Sequence, residues 1–193
     1  MWEIILYVNP LTVTAGILVC QFVCVLAVRF EQKGHESVTR IAKIPLGIFL
    51  GITLLATLIP SQGIGTGDST VWVIPGQGIL FDNSAMGDME RSMYILQQVA
   101  NAAMFLPLGI CFRFAFTRAN LSTAAIAGCG LSLIIELAQW MMNAGRVVDI
   151  DDVIVNTAGA FIGALLYTLA KHFTPPQSKA AGKSPQHRRG VQL

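Results

Sequence analysis

The chain has 193 residues, of which 53% are hydrophobic and only 12% are charged. Soluble domains carry about 25% charged residues, so half that share, combined with long apolar segments, excludes an ordinary soluble domain and indicates a membrane protein. The net charge of +2 says little about partners, and we expect the lipid bilayer rather than a nucleic acid among them.

Five apolar segments follow one another along the chain. A helix of about 20 residues crosses the hydrocarbon core of a bilayer, and a segment in that core must be helical because no water is present to satisfy its backbone. The sequence therefore predicts an all-α, polytopic helical bundle that forms a single transmembrane domain over residues 1–173. The predicted spans cover residues 11–30, 44–59, 98–116, 121–142 and 153–170.

The distribution of basic residues predicts the orientation of these spans. Eleven of the thirteen Lys and Arg residues fall on one side of a five-span chain, and only Arg91 and Arg146 fall on the other. Four or six spans would mix the two sets. Because loops rich in Lys and Arg stay in the cytoplasm, we expect an outside N-terminus and a cytoplasmic C-terminus.

Two segments lie outside the predicted spans. Residues 61–97 form an extracytoplasmic loop, either a solvated connector or a lid, in which VWVIPGQGILF is typical of a hairpin around Pro75 and Gly76. Asn83 or Ser84 would cap a helix that leads into the third span. Residues 174–193 are polar and basic, which predicts a disordered cytoplasmic tail.

Glu136 is the only acidic residue inside a predicted span, at a cost of about 2.5–3.5 kcal/mol for a charge at the bilayer centre. Gln139 shares its helix face. Asn101 and Asn156 each lie about 6 Å inside the outer surface at the rise of a helix. These side chains therefore predict a polar, ligand-binding pocket that opens to the outer leaflet, under a roof that contains Arg146, Asp149 and Asp152.

A purely structural network is the alternative to a functional pocket. Glu136 would then pair with Arg146, and the amides would join helices by hydrogen bonds. Acidic residues exceed cations, however, and unpaired acids near a membrane need a proton, a cation or a ligand. A divalent cation is one such partner, with Asp149, Asp151 and Asp152 as its candidate ligands, although no cofactor is required by the pattern.

Small residues predict where the helices pack closely. Gly159 and Gly163 form a GxxxG pair that admits another helix, either of this chain or of a homodimer partner. Pro107 should kink the third span. Asp151 and Asp152 are placed to cap the fifth helix.

Three segments together resemble the VanZ-like membrane proteins. The first, NAAMFLPLG, contains Asn101, Phe105, Pro107 and Gly109; the second, IIELAQ, contains Glu136 and Gln139; and the third runs from Arg146 through Asp149, Asp152 and Asn156 to Gly159 and Gly163. The resemblance implies a multi-pass protein of the bacterial cell membrane. It also implies a role in the cell envelope, where the family is named for a protein linked to teicoplanin resistance.

Three hypotheses about function follow. In the first, the pocket binds a lipid-linked cell-wall intermediate, an anionic lipid or a lipoglycopeptide, and Arg146 meets its phosphate or carboxylate. In the second, the protein is an intramembrane enzyme acting on a lipid-linked phosphate, with Glu136 as the catalytic acid or base. In the third, it is a proton-coupled transporter or flippase, with Glu136 as the proton site.

Overall fold

The computed structural model describes residues 26, 28, 29, 37–60, 63–65, 67, 69–80 and 88–174. Helices account for most of these residues, which confirms the predicted all-α class. The elements are, in chain order, α1 (Ser37–Leu58), β1 (Thr70–Trp72), α2 (Gln77–Leu80), α3 (Asp88–Ala115), α4 (Leu121–Met142), β2 (Val147–Asp149) and α5 (Ile150–Phe173).

Three of the described helices, α3, α4 and α5, are long and apolar enough to cross a membrane, and α1 contains a shorter apolar stretch over Ala42–Leu58. Helix α4 has the same bounds as the predicted fourth span, whereas α3 begins at Asp88, ten residues before the predicted third span. The predicted first span lies outside the described residues except for positions 26, 28 and 29. Five spans and their orientation therefore stay predictions.

Helix α1 shows how the bundle presents apolar side chains to its surroundings. Ile44, Ile48, Ile52, Leu55 and Ile59 recur three or four positions apart, and each is more than half exposed. Residues at this spacing lie on one face of a helix. A long exposed apolar face is costly in water and favourable in hydrocarbon, so the arrangement is consistent with a membrane protein.

The glycines of α5 allow its close contact with α3. A Cβ atom at Gly159 would lie 2.2 Å from the carbonyl oxygen of Ala102, and one at Gly163 would lie 2.0 Å from that of Leu106. Gly109 of α3 approaches α5 just as closely. The GxxxG face is thus covered by α3 of the same chain. The α3 helix continues through Pro107 without a break.

The segment between α1 and α3 folds back onto the segment between α4 and α5. Strand β1 pairs in parallel with β2, with Thr70 opposite Val147 and Trp72 opposite Asp149. The predicted hairpin is therefore wrong, because Thr70–Trp72 pairs with a distant strand and the residues after Gly76 form helix α2. Asn83, Ser84 and residues 175–193 of the tail lie outside the described residues.

The helix ends divide the bundle into two chemically different ends. The C-termini of α1 and α4 and the N-termini of α3 and α5 meet at one end, here called the polar end. At the opposite end, the basic end, Lys43 lies 5.9 Å from the ring centre of Phe116, and Arg113 donates a hydrogen bond to the Ala119 carbonyl oxygen. Helix α4 begins there at an Asn120 cap whose side chain accepts the Thr123 amide hydrogen.

Candidate functional site

Helix α4 contributes one polar face to the polar end. Ser132, Glu136 and Gln139 are spaced four and three residues apart, so they form a single stripe, and all three are buried. The Gln139 side-chain nitrogen donates to the carbonyl oxygen of Thr57 at the end of α1, at 3.0 Å. Gln139 therefore joins α4 to α1 in the interior of the bundle.

A second polar stripe runs along the first turns of α3. Tyr94, Gln98 and Asn101 are again four and three residues apart, and they face the start of α5. The Gln98 side-chain nitrogen donates to Asp152 Oδ1 at 3.0 Å, and Asn101 lies within hydrogen-bonding reach of Asp152. Asp152 of α5 also lies close enough to Glu136 of α4 for the two carboxyl groups to interact electrostatically.

The three aspartates at the start of α5 have separate roles. Asp149 is the N-cap, because its Oδ1 accepts the amide hydrogen of Asp151 at 2.9 Å. The predicted caps, Asp151 and Asp152, lie instead in the first turn, where negative charge is stabilised by the helix dipole. The amide of Asp149 donates to Glu136 Oε2 at 3.2 Å, which ties the cap to the carboxyl group of α4.

Arg146 contacts the end of α1. Its guanidinium donates to the carbonyl oxygens of Thr57 at 2.6 Å and Ile59 at 2.5 Å. A cation is favoured there, because the last carbonyl groups of a helix lack backbone partners and carry partial negative charge. The charge of Glu136 also acts on Arg146. The predicted contact between Arg146 and the phosphate or carboxylate of a ligand stays a prediction.

The segment that contains β1 and α2 closes over the aspartates. The Gly76 amide donates to both carboxylate oxygens of Asp151, at 3.0 and 2.8 Å, and the Tyr94 hydroxyl lies 2.7 Å from Asp149 Oδ2 and 2.8 Å from Asp151 Oδ2. Ser69 donates to the side-chain oxygen of Asn143 at 3.0 Å. These contacts attach the segment to the site as a cover, so the described part is more than a solvated connector.

Glycine is required where this cover approaches the α4–α5 turn. A Cβ atom at Gly67 would lie 2.3 Å from the Gly145 amide nitrogen, and Gly145 itself has a φ of 66°. The Gly67 amide donates to the Asn143 carbonyl oxygen at 3.1 Å, and Asn143 ends α4 in the left-handed conformation. Two backbones can therefore touch here only because side chains are absent.

Burial shifts the pKa values of Asp149 and Arg146, two residues of the site that lie outside the candidate spans. Burial raises the pKa of Asp149, and hydrogen bonds from the Asp151 amide and the Tyr94 hydroxyl oppose that rise. Burial lowers the pKa of Arg146, and the nearby charge of Glu136 opposes that fall. Both shifts follow from the cost of holding a charge away from water.

All seven residues predicted to line a ligand pocket are brought together at the polar end, each between 3% and 9% exposed. They form a buried network. Two cavities of the described structure lie elsewhere, and neither is lined by these seven side chains. The seven residues are Asn101, Glu136, Gln139, Arg146, Asp149, Asp152 and Asn156.

The network contains an excess of hydrogen-bond acceptors. Four carboxyl groups surround it, and its one guanidinium donates to carbonyl groups of α1. Asn156 donates to Ser132 Oγ at 2.9 Å, but its own side-chain oxygen is buried without a hydrogen-bond partner among the described residues, as is that of Gln98. No group of three or more His, Cys, Asp or Glu side chains in the described part of the chain is arranged to hold a metal ion.

Several members of the network were missed in the sequence. Tyr94 and Gln98 precede Asn101 on one helical stripe, and Ser132 precedes Glu136 on another, so spacing alone could have identified them. The contributions of Thr57 and Gly76 come from backbone atoms and carry no side-chain signal.

The chain matches the VanZ/LLP1 family over residues 13–171, and it therefore belongs to that family. This confirms the resemblance carried by the three sequence segments. Neither a curated protein nor a solved structure matches the chain.

Proposed function

We propose that this VanZ/LLP1 family member is a protein of the bacterial cell envelope whose polar end binds the head group of an outer-leaflet amphiphile. The observation that carries the proposal is the pair of buried, unpartnered amide oxygens of Gln98 and Asn156 beside four carboxyl groups. Buried polar atoms without partners are rare in folded proteins and often mark a missing ligand or water. The acceptors that remain call for a ligand rich in donors.

Sugar hydroxyl and amide groups fit this need better than a phosphate does. Arg146 already binds two carbonyl oxygens, and a phosphate would be repelled by Glu136, Asp149 and Asp152. A lipid-linked cell-wall intermediate offers hydroxyl and amide donors on its sugars, so it is the ligand class we favour. A lipoglycopeptide of the teicoplanin type offers the same donors, which would connect the site to glycopeptide resistance.

Binding of a purified lipid-linked disaccharide precursor to the full chain in nanodiscs tests the proposal. We expect Glu136→Gln and Asn156→Leu each to weaken binding by at least about tenfold, since each removes acceptors worth about 1–3 kcal/mol. Gly47→Leu is the matched control, because its position is exposed and a Cβ there meets no atom within 4 Å. Equal binding by wild type, both variants and the control would overturn the proposal.

Resistance is tested separately in bacteria that express each variant at matched levels. We expect wild-type protein to change teicoplanin sensitivity, and Glu136→Gln to abolish that change while Gly47→Leu preserves it. If the protein binds the precursor but its expression does not change teicoplanin sensitivity, the site is supported and the link to resistance is rejected.

A second candidate function, proton-coupled movement of the ligand, is favoured by the closeness of two acidic side chains, Glu136 of α4 and Asp152 of α5. Two carboxyl groups held close together in the interior repel each other unless one of them holds a proton. Liposomes containing the full chain should then move a fluorescent lipid-linked sugar at a rate that depends on pH, and Asp152→Asn should remove that dependence. Flux that is independent of pH in wild type would reject this function.

A further inference from the structure

An apolar cavity lies in the half of the bundle nearest the basic end. Its volume is about 470 Å³. It is lined by apolar and small residues of α1, α3 and α4 and by Ala160 of α5. Its lining includes Leu50, Phe105, Phe116, Gly130 and Ile134. Ile134 and Phe116 are 63% and 42% exposed, so the cavity opens sideways, toward the surroundings of the helices.

Two exposed basic residues lie near Phe116 in space or in sequence, and Phe116 lines this cavity. Lys43 is exposed and lies 5.9 Å from the ring centre of Phe116, a lining residue. Arg118 is exposed in the short turn between α3 and α4, close in sequence to Phe116. Arg113 is held differently, by the Ala119 carbonyl oxygen and over the ring of Tyr167, so we do not count it as a contact for a ligand.

A described residue of the predicted first span, Val28, packs on another side of α3. Val28 is fully buried in a cluster with Ala42, Ile110, Phe114 and Tyr167. At 100° per residue, Ile110 and Phe114 lie on the opposite side of α3 from Phe105 and Phe116. Among the described residues, Val28 therefore packs on a side of α3 other than the one that carries Phe105 and Phe116.

We infer that this cavity is a binding site for an anionic phospholipid. One acyl chain would fill the apolar space between α1, α3 and α4, and the phosphate would lie between the side chains of Lys43 and Arg118. The cavity is apolar and opens sideways, exposed Lys43 lies beside its lining residue Phe116, and exposed Arg118 follows Phe116 by two residues, so the surroundings match both parts of such a lipid. A juxtamembrane cation contributes about fivefold to the binding of an anionic lipid.

Native mass spectrometry of the full chain in mild detergent tests this inference, with dioleoyl phosphatidylglycerol and dioleoyl phosphatidylcholine as probes. We expect wild type to retain phosphatidylglycerol in preference to phosphatidylcholine. Lys43→Gln and Arg118→Gln should each reduce that preference about fivefold. Arg91→Gln removes an exposed charge from α3 near the opposite end and should leave the preference unchanged.

Filling the cavity separates a built site from lipid held by charge alone. A Cβ at Gly130 meets no atom within 4 Å, so Gly130→Leu can enter the cavity without a clash and with better helix propensity than glycine. It should reduce retention of phosphatidylglycerol at least about tenfold, whereas Gly47→Leu should not.

Three outcomes would overturn the inference. Equal retention of the two lipids by wild type would remove the role of charge. Equal retention of phosphatidylglycerol by Gly130→Leu and Gly47→Leu would remove the role of the cavity. Retention of neither lipid by wild type would mean that another part of the chain fills the space.

Discussion

The same helices build two unlike halves. Near the polar end, α3, α4 and α5 contribute carboxyl, amide and hydroxyl groups that are buried and joined by hydrogen bonds. Near the basic end, α1, α3 and α4 surround an apolar cavity, and the charges of Lys43 and Arg118 remain exposed. Phe105 and Ala160 are fully or almost fully buried between the halves. Polar groups are therefore concentrated at the polar end, and the remainder of the bundle can be apolar.

The close packing of α3 and α5 supports both halves, so breaking it should have the largest effect. In Gly163→Ala the new methyl group would lie 2.0 Å from the Leu106 carbonyl oxygen, which forces the backbones apart. We expect a loss of about 3 kcal/mol or more in stability, read as a large fall in melting temperature in detergent. Gly130→Ala is the control, since open space surrounds it. Similar melting temperatures for the two variants would contradict this packing.

Removing the charge of Arg146 tests whether the polar half depends on one cation. Arg146→Gln would leave the carbonyl groups of Thr57 and Ile59 without their donor and the buried carboxyl groups without a balancing charge. We expect a loss of about 2–4 kcal/mol in thermal or urea unfolding, because unpaired buried charges are costly. Arg91→Gln is exposed and should change stability by less than about 0.5 kcal/mol. If Arg146→Gln left the unfolding free energy unchanged, the network would not need its cation.

The raised pKa of Asp149 predicts that the stability of the polar half depends on pH. Its folded pKa lies above the unfolded value, so the folded state holds the proton more tightly, and stability from this group falls as pH rises through that interval. Asp149→Asn keeps the cap and removes the titration. Melting temperatures of the variant minus wild type should therefore be more positive at about pH 7.5 than at about pH 4.5. A constant or reversed difference would contradict the burial of this carboxyl group.

The smallest effect is expected at the boundary between the halves. Ser132→Ala removes the acceptor of the Asn156 side chain and should cost about 1 kcal/mol in unfolding free energy. Ser122→Ala, at an exposed position of the same helix, serves as the reference. If Ser132→Ala matched this reference, the hydrogen bond between α4 and α5 would carry no net stability.

Much of this arrangement could be predicted from helical spacing. The apolar segment 121–142 coincides with α4, and the residues from Asn101 to Asn156 that are predicted to share one layer are all buried at the polar end. Spacing could not show that Thr70–Trp72 would pair with Val147–Asp149, because strand pairing between distant short segments depends on the tertiary fold. Nor could it show that Arg146 binds the end of α1, since its partners are backbone carbonyl groups that no residue type identifies.

Binding of the lipid-linked disaccharide precursor to wild type, Glu136→Gln and Gly47→Leu in nanodiscs tests most directly whether the polar half is the ligand site. We predict that wild type and Gly47→Leu bind alike and that Glu136→Gln binds at least about tenfold more weakly. Undiminished binding by Glu136→Gln, at matched folding and expression, would contradict the assignment and leave the buried network with a structural role alone.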